Sequence, residues 1–239
     1  MDTIKIAEDT LMKDKKNNIS IINFIKNNQI LSVDIEGDSV MIKGESDRRW
    51  IYISSQDEGE LKKLMNKINK NDDNFAAIDE WMIPILVEKK NVLWDLSVVQ
   101  FYLSEDVQIP APKYKTVPLI ITDAHTVYEN SLYKDYISVE YVAERIQKGI
   151  SAGLHDNSEL VSWAVIQDDG AIGFLHTLSD YRKKGYGLSV TLSIIEKLRK
   201  NGELPFAYVE VSNKKSMNLL LKLGFIENKR VHWFQIGKM

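Results

Sequence analysis

The chain has 239 residues, no cysteine and a formal net charge of −3. Disulfides, thiolate metal sites and a cysteine nucleophile are therefore excluded, and no basic block is long enough to follow a nucleic-acid backbone. With 44% hydrophobic residues it can fill one large core or two small ones, while the mixed-charge stretch Met1 to Asn18 and the lack of any run near roughly 18 apolar residues predict a cytoplasmic protein with no membrane partner.

In chain order, the spacing predicts a helix over about 16–28, then two or three strands within 30–54 that turn at Glu36-Gly37-Asp38 and Gly44-Glu45-Ser46. A helix over 57–70, a short strand, a helix over 79–89 and a strand over 92–103 follow. Two of the five prolines fall in Gln108-Ile-Pro-Ala-Pro-Lys-Tyr, which marks a domain boundary between 1–110 and 111–239. Beyond it, Thr116 to Ile121 reads as a strand, Asp123 as the cap of a helix, and 138–148 as a second helix. Strands over 160–166 and 172–178 join through the turn Asp168-Asp169-Gly170. After a glycine loop, Leu188, Leu192, Ile195 and Leu198 recur at helical spacing. A strand over 206–211, a helix over 214–223 with the apolar stripe Met217, Leu219, Leu220 and Leu223, and a hairpin over 225–236 complete the chain. Helices interposed between strands predict a mixed sheet in an α/β or α+β fold.

Charge divides unevenly. Residues 1–110 carry 14 Lys/Arg and 20 Asp/Glu, a net of 14 − 20 = −6, whereas 111–239 carry 17 and 14, a net of +3. The second part is the better host for an anionic ligand, and it holds the chain's most informative segment, Arg182-Lys183-Lys184-Gly185-Tyr186-Gly187, between a strand and a helix. Exposed amides converge at such a junction, the helix dipole favours an anion, glycines permit close backbone approach and cations supply counter-charge. Neither the nucleotide P-loop nor the dinucleotide fingerprint fits, since Val190 stands where the latter needs a third glycine.

This hexapeptide resembles the R-x-x-G-x-G/A signature of the GNAT acetyltransferases. Leu178-Ser-Asp-Tyr-Arg182 is similar to that family's strand-to-loop wording, and Asn213-x-x-Ser216-x-x-Leu219-Leu220-x-x-x-Gly224-Phe225 to its downstream motif. The resemblance covers about 112–239. It implies a GNAT fold with a mixed, mostly antiparallel central sheet flanked by helices, preceded by a smaller α/β domain that is a degenerate copy or an acceptor or interaction module. It also implies acetyl-CoA as acyl donor, no metal, and a small-molecule or peptide amine as acceptor. The cofactor positions it implies are Thr177, Leu178, Arg182, Lys183, Lys184, Gly185, Tyr186, Gly187, Leu188, Asn213 and Ser216. Leu160-Val-Ser-Trp-Ala, Asp169-Gly170, Thr177 to Arg182 and Trp233 are similar to glycine N-acyltransferases in particular.

Two departures matter. Leu220 stands where many relatives place a tyrosine acid, and Ala171 where glycine N-acyltransferases carry a glutamate. The catalytic candidates are Glu210, set by alternation opposite Val209 and Val211, and His176, on the strand entering the loop. His125, His155 and His232 show no metal-ligand spacing. A CoA-binding sensor without turnover is the alternative reading.

Overall fold

A computed structural model describes residues 3–88 and 90–237. Two compact units emerge: one comprises 1–100, 209–213 and 227–239, the other 101–208 and 214–226. The expectation of 1–110 and 111–239 follows the chain. The units follow space, and two C-terminal segments group with the first.

The first unit contains α1 (Thr3–Met12), α2 (Lys15–Asn27), β1 (Gln29–Glu36), β2 (Ser39–Glu45), β3 (Arg49–Ser54), α3 (Glu58–Met65), β4 (Asn74–Asp79), α4 (Ile83–Leu86) and most of β5 (Val92–Tyr102). Asp14 caps α2 by accepting from the Asn17 amide, and Asp57 caps α3 by accepting from Glu60. Gly37 supplies the left-handed residue (φ 61°) of the β1–β2 turn. β1, β2 and β3 pair antiparallel and β3 and β4 parallel. Alternation along β2 sends Val40 and Ile42 to the layer of Phe24 and Tyr52, and Met41 to the layer of Leu61, Leu64 and Phe75.

Helix α1 is absent from the expected elements because its charged residues mask a narrow apolar stripe, of which Ala7 and Leu11 are buried. The helix expected over 79–89 is a 3-10 turn at Glu80–Met82 followed by the short α4, and Lys89 lies outside the described residues. The hairpin expected over 225–236 is one strand, β10 (Ile226–Ile236), whose Val231, His232, Phe234 and Gln235 pair antiparallel with β4. The alternative of folding back on itself would forgo the stacking of Phe234 on Phe75, 4.7 Å between centroids.

The second unit contains α5 (Ala124–Glu129), α6 (Val139–Lys148), β6 (Ser151–Asp156), β7 (Glu159–Ile166), β8 (Ile172–Thr177), α7 (Tyr186–Lys200), the start of β9 (Phe206–Glu210) and α8 (Lys214–Lys222). Its strand order is β9-β8-β7-β6, antiparallel except for the parallel β8–β9 pair. The sheet is thus mixed and mostly antiparallel, with helices flanking it.

Thr116 to Ile121 is not a strand. Pro118 has no N–H to give, and only Val117 makes a bridge, to Gly153. Asp123 does not cap α5; its carboxylate accepts from the Ile120 amide, 2.9 Å. Strand β6 escapes the sequence because Gly153 interrupts its alternation. A Cβ there would come within 2.6 Å of the Leu119 side chain. Helix α7 buries Leu192, Ile195 and Leu198 as expected, but Leu188 is 39% exposed and is not part of its core stripe. On α8, Leu220 and Leu223 are buried while Met217 and Leu219 are half-buried.

Candidate functional site

The site is built along β8 and the loop that follows it. Near its middle β8 is bulged: Trp163 pairs with His176 and Val165 with Gly173, so Phe174 and Leu175 oppose the single residue Ala164. Phe174 takes φ 51°, rare for a bulky side chain, and the surrounding core holds it there. On the other side, the described residues pair β8 with β9 only at Ile172↔Ala207. Over 174–177 the strand therefore presents an edge toward that side.

Beyond β8, a 3-10 turn at Ser179–Tyr181 leads into the loop. Lys183 (φ 62°) and Gly185 (φ 88°) are both left-handed, and Gly185 is the N-cap of α7. A glycine cap has no side chain with which to satisfy the first turn. The first intrahelical bond runs from Ser189 N to Gly185 O, 3.0 Å, so the amides of Tyr186, Gly187 and Leu188 precede the ladder. A Cβ on Gly187 would lie 3.1 Å from Thr177 Oγ1, which fixes how closely the helix start approaches the strand end. Arg182 Nε donates to Thr177 O at 2.9 Å, and the Lys183 and Lys184 side chains are exposed.

Together, the strand order, the bulged β8, its open edge and the uncapped helix start define the architecture. Residues 147–234 match the family model described as FR47-like protein. No curated protein matches. Among solved structures the chain is similar to a Drosophila protein, at 14% identity and TM-score 0.82, covering 100% of this chain and 97% of that one. It is also similar to a putative GNAT-family acetyltransferase from Novosphingobium aromaticivorans (17% identity, TM-score 0.54, 79% and 84% covered). A GCN5-related N-acetyltransferase from Kribbella flavida is a third such neighbour (11% identity, TM-score 0.57, 93% and 96% covered). The chain has the GNAT fold.

Within this GNAT fold the structure brings together Thr177, Leu178 and the run 182–188. The Leu178 amide is committed to Val161 O, 3.0 Å, so it is not available to polarise a ligand carbonyl. Ser162 donates to His176 O (2.9 Å) and receives the Thr177 hydroxyl (2.8 Å), which locks the end of β8. The His176 ring stacks on Trp163 at 5.0 Å. Burial first, and the nearby Arg182 charge second, hold its pKa below 6.5, so the imidazole is neutral at neutral pH.

Glu210 and Asn213 fall in the segment 209–213 that groups with the first unit. There the Asn213 amide donates to Glu210 O (2.9 Å) and Ser212 Oγ donates to Glu210 Oε2 (3.3 Å). Val209 is buried but Val211 is 37% exposed, because β9 ends at Glu210, so the expected alternation rests on Val209 and Ala207. Ser216 lies half-buried on α8.

Sequence reasoning missed Tyr114. Its hydroxyl donates to Lys184 O (3.2 Å), its amide donates to Ser189 Oγ (3.3 Å), and its ring meets Tyr186 edge-on at 4.7 Å. No local pattern announces a residue seventy positions away in the chain from its partners. Also missed is a buried cluster at the opposite end of β8. Asp168 accepts from the Tyr141 hydroxyl at 2.7 Å, Asp169 accepts from the Ala171 amide at 3.0 Å, and the Arg145 guanidinium lies over the Tyr141 ring. Burial, then the neighbouring Asp168 charge, pushes Asp169 up to about 8. Ala171 itself is fully buried.

At the end of α5, Glu129 is paired with Lys134 (2.7 Å), while Asp135 and Tyr136 just beyond are exposed. Among the described residues no group of three His, Asp or Glu could hold a metal ion, and no helix is long and apolar enough to cross a membrane.

Proposed function

We propose that the protein is an acyl-CoA-dependent N-acyltransferase that moves an acyl group, most simply acetyl, directly to a primary amine. The observation that carries the reading is the start of α7, where three unladdered amides, a left-handed glycine cap and the cations Arg182, Lys183 and Lys184 meet beside the open edge of β8. Such a junction suits a pyrophosphate. The donor set fits the pyrophosphate of an acyl-coenzyme A, which would supply an activated thioester when bound.

The chain's own residues then divide the work. Residues 182–188 hold the anionic end, and the edge at 174–177 accepts the pantetheine arm as an added strand, with Asn213 and Ser216 assigned to that arm on motif grounds. With the Leu178 amide engaged, polarisation of the reacting carbonyl falls to the amides along the 174–177 edge. The acceptor amine, with a pKa from about 8 to about 10 when free, must lose a proton. His176 is the base that the observations favour, because it lies on β8 and is held neutral. Glu210 is the candidate that the sequence motif supports. The narrower likeness to glycine N-acyltransferases rests on sequence wording alone.

A thiol-release screen with acetyl-CoA and longer acyl-CoAs against amino acids, polyamines, aminoglycosides and peptide N-termini tests this reading. Turnover with at least one amine supports it. Coenzyme A binding without thiol release against any amine favours the second reading, a CoA-binding sensor, for which the buried Leu220 is the specific motive: at that position no side chain can protonate a leaving thiolate. Failure to bind coenzyme A at all sinks both.

A further inference from the structure

The first unit contains a cavity of about 240 Å³ on the α3 side of its sheet, lined by Ser32, Lys43, Arg49, Ile51, Asn69 and Asp72 among others. The register explains why these side chains meet. Ser32 of β1 pairs with Lys43 of β2, and Lys43 pairs with Ile51 of β3, so the three form a cross-strand row on one face. A bulge at Leu31, between the pairs Ile30↔Gly44 and Ser32↔Lys43, sets this alignment. Arg49, two residues before Ile51, shares the face.

Charge is partly settled inside the cavity. Lys43 is only 8% exposed, and its ammonium donates to Lys67 O (2.6 Å) and to Asp72 Oδ2 (2.7 Å). Asp72 also accepts from the Asn69 amide at 2.8 Å. Burial alone would raise the Asp72 carboxyl, but Lys43 and Asn69 outweigh it and hold the group below the usual range, ionised. The pair is neutral and fixed.

Unused donors remain. Ser32 Oγ is shielded from solvent and has no hydrogen-bond partner, Lys43 has a third N–H, and Arg49 forms no ion pair among the described residues, not even with its cross-strand neighbour Glu45. Leaving a shielded hydroxyl unpartnered costs about 1–3 kcal/mol, which a ligand acceptor would recover. Counting the lining charges, Lys43 (+1), Arg49 (+1) and Asp72 (−1) sum to +1. A dianion such as phosphate would overcharge a site already holding Asp72, whereas a monoanion is matched. The volume admits about eight waters at roughly 30 Å³ each, or one molecule of amino-acid size.

We propose that this cavity binds a small organic carboxylate, its carboxylate taken by Arg49 and Ser32 beside Lys43 and its short apolar body set against Ile51. The site is separate from the cofactor loop and does not depend on the acyltransferase reading.

The test is NMR titration of the full chain with isobutyrate, using isobutyramide and inorganic phosphate as controls. Saturable shifts of the Ser32, Lys43, Arg49 and Ile51 amides with isobutyrate, and none with isobutyramide, are expected. Arg49→Gln, at an exposed position, and Ser32→Ala should each weaken binding about tenfold, in line with a lost hydrogen bond to a charged group. Thermal melts confirm that both variants are folded. The proposal is overturned by absence of saturable shifts at millimolar isobutyrate, by equal binding of the amide, by binding of phosphate alone, or by an Arg49→Gln variant that binds isobutyrate unchanged.

Discussion

Strand β8 ends in two opposite electrostatic environments. Past Thr177 the chain enters an exposed loop of cations and unladdered amides, whereas before Ile172 it leaves a turn whose Asp168 and Asp169 are both buried. At the loop the cations are exposed and the helix start stays open to an anion. At the turn, Tyr141, the Ala171 amide and Arg145 serve a carboxylate pair that burial forces to retain a proton. Chemistry concentrates where donors are left unspent, and rigidity where they are consumed.

The contrast is broken most directly at Arg145. Arg145→Met should cost about 3 kcal/mol, because the buried aspartates lose the nearby positive charge that offsets them and the pair of Arg145 with Glu144 (3.1 Å) is lost with it. Denaturant melts measure this, and a variant as stable as the parent would mean that charge does not hold the turn.

Nearly as large is the kinetic effect at the base. His176→Ala should lower turnover by about 10²-fold, equivalent to about 2.7 kcal/mol, while cofactor affinity barely changes. Because its pKa is depressed, the acid limb of the parent's rate profile should fall below pH 6.5. Glu210→Gln is the matched comparison, and a full hundredfold loss there with His176→Ala unaffected moves the assignment to Glu210. In either case the loss should shrink as pH rises and more amine is already deprotonated.

Protonation of the turn gives a third test. Asp169 rises from 3.8 to about 8 on folding, so between those values the native state binds one proton more than the unfolded chain. Stability should therefore fall by about 1.4 kcal/mol per pH unit as pH rises through that window and level off above it. Asp169→Asn keeps the acceptor for the Ala171 amide and removes the proton. Melting temperatures of the parent and variant that run parallel from pH 5 to about 8 would refute the shared-proton account.

Gly187→Val should weaken coenzyme A binding about tenfold, about 1.4 kcal/mol, through crowding at Thr177 and at the ligand. Calorimetry on the folded variant checks it, with unchanged affinity removing the loop from the site. Smallest of all, Lys184→Met should alter stability by no more than about 1 kcal/mol, since the exposed side chain loses only a surface contact of its ammonium over the Tyr181 ring (4.9 Å).

By itself the sequence determined α2, the strand character of 30–54 without fixing whether it holds two strands or three, the body of α7 and the loop at 182–187. Each of these is written within a turn or two of chain, as an apolar period or as glycines placed between strand and helix. Tertiary structure decided the rest. β6 exists because Gly153 lets Leu119 approach it, and β10 is one strand because β4, well over a hundred residues earlier, offers Phe75 to Phe234. The bulge at Phe174, the engagement of the Leu178 amide by Val161, the contact of Tyr114 with Lys184 and the row from Ser32 to Lys43 to Ile51 likewise join distant segments. Local signals record what the backbone does within a few residues, whereas burial selects partners by shape and charge from anywhere in the chain.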